Sequence, residues 1–352
     1  MSNVQQAIVV TEVGKPAVLI DNQPIPQPGP NQVQIKVSVA GLNPHDQKMR
    51  DFGLFVAEGS LPQVLANDVV GTITQLGEGV NSSDYTVGDR VMSHARMGSW
   101  TEPKSSENGL QQYALANVGA MAKVPAGVSD DEAATLPINV MPSVVALYRV
   151  LGIPAPWAAA AAAFDYAGTT LLIVGGGSKN GRFGVQVARL AGVGRIVVVG
   201  GDEAELKSHG ATHVLDRHGG SDEVLARIRA VVGDDLVYAY DTVNDPAGQT
   251  LGLNALSSRK KGVMARLVPT GPVDEAQVVG KEAVFELRDV IGMSIYQNDE
   301  ALAFWERLPG YLESGQIKPL QFDVKGFSAA EVNEVLDAYR DGKPVTKTHI
   351  HF

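Results

Sequence analysis

Polar and apolar residues alternate in the first third of the chain, a pattern that predicts short β-strands. The clearest run covers residues 32–40, where every second position is apolar, as in a strand with one buried face. A second candidate strand covers residues 69–76, and residues 88–92 predict a turn that enters a third. Glycine and proline recur between these runs, so we expect a β-rich region of short strands joined by turns.

From about residue 130 the pattern becomes helical and then alternates between strand and helix. Residues 130–151 predict a helix that breaks or kinks at Pro137 and Pro142. The predicted strands then cover 169–174, 195–199, 213–216, 236–241, 262–268, 290–296 and 346–352, and the predicted helices cover 181–191, 203–209, 221–232, 299–315 and 329–339. From 169 to 296 this alternation is typical of a doubly wound parallel sheet, and the last two helices and strand 346–352 follow it, so the expected fold class is α/β.

A glycine-rich turn separates the first strand of this alternation from its helix. The apolar run 171–174 is followed by three glycines at 175–177, and Gly181 and Gly184 lie in the first turns of the helix. The free N–H groups at a helix N-terminus favour a pyrophosphate, and strand, turn, helix and strand at this spacing predict a dinucleotide site. The candidate phosphate-binding residues are Gly176, Gly177, Ser178, Lys179, Asn180 and Gly181.

Length and composition limit which classes of protein this chain can belong to. The 352 residues are enough for two domains that share a cleft, and the net charge of −10 argues against nucleic-acid binding. The chain has no cysteine, which excludes disulfides and cysteine-ligated metals. It also lacks an apolar run long enough to span a membrane, and its first residues do not resemble a secretory signal. We therefore expect a cytoplasmic protein without nucleic-acid or membrane partners.

Five motifs along the chain resemble those of the medium-chain dehydrogenase/reductase superfamily. They are Gly41-Leu-Asn-Pro-His-Asp46, Asn67-Asp-Val-Val-Gly71, Gly88-Asp-Arg-Val91, Ala133-Ala-Thr-Leu-Pro137 and the glycine turn. Within the superfamily, Asn43-Pro-His-Asp-Gln-Lys-Met49 and Leu151-Gly-Ile-Pro-Ala-Pro156 are most similar to a fungal branch of trans-acting enoyl reductases and zinc-free quinone or aldehyde reductases. The resemblance implies a GroES-like catalytic domain, residues 1–140 and 298–352, with a Rossmann domain, residues 141–297, inserted in it.

The chain departs from the zinc-dependent members of that superfamily. Asn43 stands where those enzymes have a cysteine ligand, and Ala66-Asn67-Asp68 stands where they have Gly-His-Glu. The pair His349 and His351 lies on one face of the last predicted strand, and we expect that face to be exposed or at an interface rather than to bind metal. The sequence therefore predicts no zinc.

The expected cofactor is NADPH. NAD-binding folds of this type place an acidic residue after the second strand, where this chain has Gly200 and Gly201. Lys207 and Arg217 follow at positions from which a cation could bind the 2′-phosphate. The alternative is NAD, with Asp202 or the next residue replacing the missing acid.

Zinc-free members of the superfamily reduce carbonyl-conjugated double bonds or quinones, and the resemblance implies that chemistry here. Lys48 is the candidate catalytic residue, as a cation that stabilises an enolate or returns a proton; alternatively it anchors the nicotinamide ribose or closes the cleft through a salt bridge. Asn43 and Asp46 are expected to orient the same loop, Asp46 by pairing with Lys48 or Arg50.

Other residues are expected at the cofactor because ligands bind at the carboxyl ends of parallel strands. They are Asn139 and Met141 near the nicotinamide, and Asp241, Thr242, Val268, Pro269 and Thr270 at strand ends. Lys347, near the final strand, could reach a phosphate, but we expect it to be a solvated surface residue.

The function predicted from the sequence is zinc-independent, NADPH-dependent reduction of an enone, enoyl compound or quinone, free or thioester-bound. Reduction of an aldehyde or ketone, and cofactor binding with little catalysis, are the alternatives. Both a monomer and a homodimer are compatible with the sequence.

Overall fold

The computed structural model of the chain describes residues 3–96, 105–293 and 298–352. Its strands are β1 (Val4–Val10), β2 (Val18–Pro24), β3 (Gln32–Leu42), β4 (Gln63–Val64), β5 (Asp68–Leu76), β6 (Arg90–His94), β7 (Tyr113–Asn117), β8 (Met121–Lys123), β9 (Thr170–Val174), β10 (Arg195–Val199), β11 (His213–Leu215), β12 (Tyr238–Asp241), β13 (Gly262–Arg266), β14 (Phe285–Asp289), β15 (Phe322–Gly326) and β16 (Lys347–His351).

The α-helices connect these strands and cover their sheets. They are α1 (Pro44–Phe52), α2 (Asp130–Ala134), α3 (Pro137–Val144), α4 (Lys179–Ala191), α5 (Glu203–His209), α6 (Ser221–Val232), α7 (Pro246–Ala255), α8 (Asn298–Glu313) and α9 (Ala329–Arg340). The break expected at Pro137 is confirmed because α3 begins there, and a π-helical turn, Val145–Val150, continues α3.

The strands form three sheets. A small antiparallel sheet has the order β2-β1-β4, and a larger sheet has the order β15-β16-β3-β5-β6-β8, with β7 paired to β3. Strand β16, near the end of the chain, pairs with β3 near its beginning, so the two ends of the chain share one sheet. The third sheet is parallel, with the order β11-β10-β9-β12-β13-β14, and confirms the predicted doubly wound α/β fold.

Helix α4 shows how the sequence builds the parallel sheet. Ser178 caps its N-terminus by accepting a hydrogen bond from the Gly181 N–H, and Gly192 ends it in the left-handed conformation. Phe183 and Val187 on its inner face are fully buried, in one apolar core with Ile173 of β9. The glycine turn is thereby held between a buried strand and a buried helix.

Two elements of the parallel sheet differ from the expectation. The strand predicted at 290–296 is wrong: the edge strand is β14, five residues earlier, residues 290–293 form no strand, and 294–296 lie outside the described residues. Strand β14 is only half-buried, and polar residues alternate with apolar ones in its sequence. The more apolar run at 290–296 therefore resembled a buried strand more closely. Helix α7 was not predicted, although Asp245 caps it by accepting from the Gly248 N–H at 3.0 Å.

Strands β5 and β3 approach each other so closely at Gly71 that a side chain there would collide with β3. A Cβ at this position would lie 2.2 Å from the carbonyl oxygen of Lys36 on β3. Gly71→Ala should therefore lower the free energy of unfolding by about 1–3 kcal/mol, measured by urea denaturation. Gly310→Ala is the control, because its added Cβ would meet open space beside its own helix. Equal midpoints for the two variants would contradict this account of the packing.

Candidate active site

The glycine turn brings bare backbone to the carboxyl end of β9. A Cβ on Gly176 would lie 2.3 Å from Val198 Cγ1 and 2.4 Å from the Gly200 carbonyl oxygen. A Cβ on Gly181 would lie 2.3 Å from the Gly175 carbonyl oxygen. Side chains are thus excluded at both positions, and the turn packs directly against the end of β10.

A cavity of about 680 Å³ opens at this turn. Glycine backbone forms one wall, and Val224 and Leu251 contribute apolar surface. Six of the predicted cofactor residues or their neighbours line it: Gly175, Gly177, Ser178, Gly200, Gly201 and Arg217. Backbone beside a helix N-terminus, an apolar wall and a guanidinium together fit the adenosine and phosphate part of a dinucleotide.

Arg217 and Lys207, both predicted near the 2′-phosphate, have different surroundings. A Cβ on Gly200 would lie 3.1 Å from Arg217 Cδ, so the Arg217 side chain crosses directly over Gly200. Within the described part of the chain, its guanidinium has no carboxylate partner. Lys207 instead pairs with Glu203 at 2.6 Å and is not among the residues lining the cavity. Asp202, the alternative acid, caps α5 by accepting from the Glu205 N–H at 2.7 Å.

Polar contacts fix the ends of the neighbouring strands against the glycine turn. The Thr242 hydroxyl lies 2.8 Å from the Ser178 hydroxyl and donates to the Val174 carbonyl at 3.0 Å. Asp241 accepts from the N–H groups of the two residues after Thr242, and burial raises the pKa of this carboxyl. Pro269, beyond β13, is exposed and does not line the cavity.

Asn180 and Asn139 lie where the two domains meet. The Asn180 carbonyl accepts from the Ser143 hydroxyl at 2.9 Å, which joins α3 to α4. Its side-chain Oδ1 is buried and has no hydrogen-bond partner among the described residues, and its contact with a cofactor stays a prediction. Asn139 is buried and donates to the Thr135 carbonyl at 3.1 Å.

Lys347 is buried, and the expectation of a solvated lysine was wrong. Pairing of β16 with β3 brings its side chain beside Gly41, whose missing Cβ leaves room for it: a Cβ there would lie 2.7 Å from Lys347 Nζ. The ammonium forms an ion pair with Asp68 and donates to Asn43 Oδ1 at 3.0 Å and to the Leu42 carbonyl at 3.3 Å. All three of its N–H bonds therefore have acceptors.

Asp68 connects this ion pair to the helix between the domains. One carboxylate oxygen accepts from the Ile138 N–H at 2.6 Å, and the other accepts from Asn43 Nδ2 at 2.8 Å. Burial alone would favour the neutral acid, but the Lys347 ammonium and these donors hold the pKa of Asp68 below its ordinary value. The carboxylate therefore stays charged inside the protein.

The loop around α1 differs from the expectation at Asp46. Its carboxylate accepts from the N–H groups of Asn43 and Ala66, both at 2.8 Å, and pairs with neither Lys48 nor Arg50. Arg50 instead pairs with carboxylates that include Asp337 of α9. Asp46 is buried at the start of the helix, where backbone donors are closer than either cation.

Two predicted contacts on the same loop are placed differently. The Asn43 amide donates to the Gly41 carbonyl and to Asp68 and accepts from Lys347, so its hydrogen-bonding capacity is used within the protein. Lys48 lies on the exposed face of α1. Its role as a catalytic or cofactor contact stays a prediction.

The residues at the position of the zinc ligands do not fit zinc. Zinc needs three or four converging sulfur, imidazole or carboxylate donors. Here Asn43 and Asp68 converge on the Lys347 ammonium, and the Asn67 amide oxygen lies 2.7 Å from His45 Nε2. Across residues 3–96, 105–293 and 298–352 no group of three or more histidine, cysteine, aspartate or glutamate side chains could hold a metal ion.

His349 and His351 share one carboxylate. His349 Nδ1 and His351 Nε2 each lie 2.9 Å from Asp131 Oδ1. The expectation of an exposed face was wrong for His349, which is fully buried; burial, with repulsion by Lys347, lowers its pKa to about 4. His351 is partly exposed. Through these two contacts with Asp131, the histidines connect β16 to α2.

Tyr339 makes a contact with Lys179 that the sequence did not indicate. It lies on α9, and its hydroxyl accepts a hydrogen bond from Lys179 Nζ at 3.0 Å. The ammonium is also 5.4 Å from the centre of the tyrosine ring. Lys179 begins α4 directly after the glycine turn, so this contact joins α4 to α9. In the pattern of α9 nothing distinguishes Tyr339 from a packing residue.

No helix in the described ranges is long and apolar enough to cross a membrane.

The sequence matches two family models. The alcohol dehydrogenase GroES-like domain matches residues 29–137, and the zinc-binding dehydrogenase domain matches residues 181–308. Dehydrogenase orsE of Emericella nidulans is 28% identical over 361 residues, covering 97% of both chains. Trans-enoyl reductase tazE of Aspergillus terreus is 30% identical over 243 residues, covering 68% of this chain and 77% of that relative.

Solved structures share the fold over nearly the whole chain. A mycobacterial quinone oxidoreductase has a TM-score of 0.73 at 25% identity, with 99% of this chain and 100% of that chain covered. A mycobacterial protein solved in complex with NADPH has a TM-score of 0.74 at 24% identity, with the same coverage. These structures confirm a GroES-like domain combined with a Rossmann domain.

The Lys347–Asp68 pair predicts a pattern of stability changes. Lys347→Met or Asp68→Asn alone leaves a buried charge or acceptor unpaired, and each should lower the free energy of unfolding by roughly 3–5 kcal/mol. The double variant should lose less than the sum of the two. Because the pKa of Asp68 is lowered in the folded state, its contribution is present at neutral pH and disappears in acid.

Urea denaturation measures all three variants, with Lys325→Met as the control because Lys325 pairs with Glu334 at the surface. Additive losses, or single variants as stable as the control, would show that Lys347 and Asp68 are not coupled.

Proposed function

The chain belongs to the medium-chain dehydrogenase/reductase superfamily, in its enoyl-reductase-like branch, and we propose that it uses NADPH, without zinc, to reduce a double bond conjugated to a carbonyl. The oxidoreductase class is common to its relatives. One observation carries the finer proposal. An internal ammonium, Lys347, takes the position between Asn43 and Asp68 where the zinc-dependent enzymes place metal ligands.

The glycine-turn cavity supports a dinucleotide, and Arg217 supports NADPH over NADH. Bound NADPH supplies a hydride from its nicotinamide ring. We assign the pyrophosphate to the N-terminus of α4 and the 2′-phosphate to Arg217. Asp202 caps α5, Glu203 pairs with Lys207 at the surface, and neither lines the glycine-turn cavity. The NADPH complex of the mycobacterial structure supports the same cofactor.

The lack of a fitting metal site favours substrates that are already activated. When hydride adds to an enone or enoyl thioester, negative charge spreads to the carbonyl oxygen, and a nearby cation or N–H donor lowers the barrier. Lys48 is our predicted residue for that role. Relatives named trans-enoyl reductases support a thioester-bound substrate, and the same cleft accommodates a free small molecule in this proposal.

Oxidation of NADPH, with NADH in parallel, tests the proposal against four acceptors: an enone, an enoyl thioester, a quinone and an aldehyde. We expect a saturated product from the enone or the thioester, a preference for NADPH, and unchanged turnover after dialysis against EDTA. Turnover of the aldehyde alone, or activity lost to EDTA and restored by zinc, would contradict it. NADPH binding without turnover of any acceptor would instead favour a cofactor-binding protein with little catalysis.

Arg217 should determine the cofactor preference. Arg217→Ala removes the cation that lies over Gly200 and should raise the KM for NADPH by about 10-fold or more, with little change for NADH. Arg189→Ala is the matched control, because Arg189 lies on the exposed face of α4 and donates to the Ser208 carbonyl. Steady-state kinetics with both cofactors give the comparison. Parallel increases in both KM values would show that Arg217 does not recognise the 2′-phosphate.

A further inference from the structure

Reduction of a conjugated double bond requires a proton as well as a hydride. We propose that Tyr339 and Lys179 supply this proton, Tyr339 by donating to the substrate and Lys179 by reprotonating Tyr339. This inference rests on the proposed function and adds a proton donor to it.

The pair is a contact between elements of the two domains. Lys179 begins α4 after the glycine turn, and Tyr339 lies on α9 of the catalytic domain, with 3.0 Å between Nζ and the hydroxyl oxygen. Helix α9 is fixed by the contact between Arg50 and Asp337, at 2.8 Å. In this proposal the substrate binds between the two domains, beside the pair.

Lys347, Asp68 and Asp46 lie beside the pair, and none of them has a proton that is free to pass to a substrate. Lys347 uses its three N–H bonds on protein acceptors, and the carboxylates of Asp68 and Asp46 accept from fixed donors. In the described ranges, the Tyr339 hydroxyl accepts from Lys179 and has no acceptor for its own proton. That proton is available to a substrate.

The surrounding charges suit a lysine that exchanges its proton near neutral pH. Burial, followed by repulsion from Lys347 on β16 and Arg182 on the same helix, lowers the pKa of Lys179 to about 7 against the opposing effect of Asp68 on β5. Burial, with Asp46 on α1 and Asp68, raises the pKa of Tyr339 and keeps it protonated. With a pKa close to the working pH, Lys179 can both give a proton to the tyrosine oxygen and take one back from water.

In the proposed step the substrate receives one hydride and one proton. Hydride adds to the β-carbon of the substrate, and the electron pair of the double bond moves to give an enolate. The enolate α-carbon takes the proton from the Tyr339 hydroxyl, the tyrosine oxygen takes one from Lys179, and the resulting neutral amine takes one from water. One NADPH and one proton are consumed for each double bond reduced.

Tyr339→Phe tests the donor by kinetics on the full chain. We expect kcat to fall at least about 100-fold while the Kd for NADPH, measured by fluorescence titration, stays within about threefold. The kcat of the unaltered protein should decrease as pH rises through about 7, and Tyr339→Phe should lose that dependence. Tyr311→Phe is the matched control, a half-buried tyrosine of α8 that packs on Phe304. An unchanged kcat in Tyr339→Phe would overturn the proposal.

Two further variants separate this role from others. If Lys179 only anchors the pyrophosphate, Lys179→Gln raises the Kd for NADPH and leaves kcat and its pH profile intact, which contradicts the proposal. If Lys48→Met, rather than Tyr339→Phe, removes the pH dependence, the donor is Lys48 and the proposal is wrong.

Titration of Lys179 itself needs no turnover. With ¹³C-labelled lysine in the full chain, NMR should show a lysine that titrates near pH 7, distinct from Lys281 near pH 8, and Lys179→Arg should remove the first signal. If the enzyme is active but Lys179 titrates like an ordinary lysine, the proton relay through Lys179 and Tyr339 is wrong and the proposed function stands. Absence of turnover by the unaltered protein, with the shifted lysine present, would overturn the proposed function and the donor role together.

Discussion

The buried ion pair of Lys347 and Asp68 is the interaction on which the rest of the structure depends. It joins positions 279 residues apart and, through the Ile138 N–H, connects the last strand to the helix between the domains. A buried pair adds little net stability compared with apolar packing, but it tolerates few geometries, because each partner is costly to leave alone. The pair thus fixes how the two ends of the chain meet the Rossmann domain.

The same ammonium also bears on the chemistry that we propose for the site. Because Lys347 already lies between Asn43 and Asp68, the site contains a fixed internal cation and its donor set does not suit zinc. Its charge also acts on Lys179 across the cleft, which favours loss of the lysine proton near neutral pH. The packing of one buried side chain therefore connects the architecture, the absence of a fitting zinc site and the proposed proton donor.

Local patterns predicted most of the fold and the nucleotide side of the site. The apolar run of β9, the Ser178 cap and the glycine turn are adjacent in sequence, so the strand, turn and helix that they form could be predicted without the structure. Lys347 and Tyr339 could not be placed in this way, because their partners lie far away in sequence and belong to other elements. The misplaced edge strand has a related cause: burial on a sheet edge is incomplete, so the apolar pattern weakens there.

The most direct test of the account traces hydrogen atoms through one turnover. The protein, freed of metal by dialysis, would reduce an enoyl thioester with NADPH that carries deuterium at C4 of the nicotinamide, on the transferred face. We expect one deuterium at the β-carbon of the product and a solvent-derived hydrogen at the α-carbon. Deuterium on a carbonyl carbon, giving an alcohol, or transfer that occurs only after zinc is added would contradict conjugate reduction by a zinc-independent site.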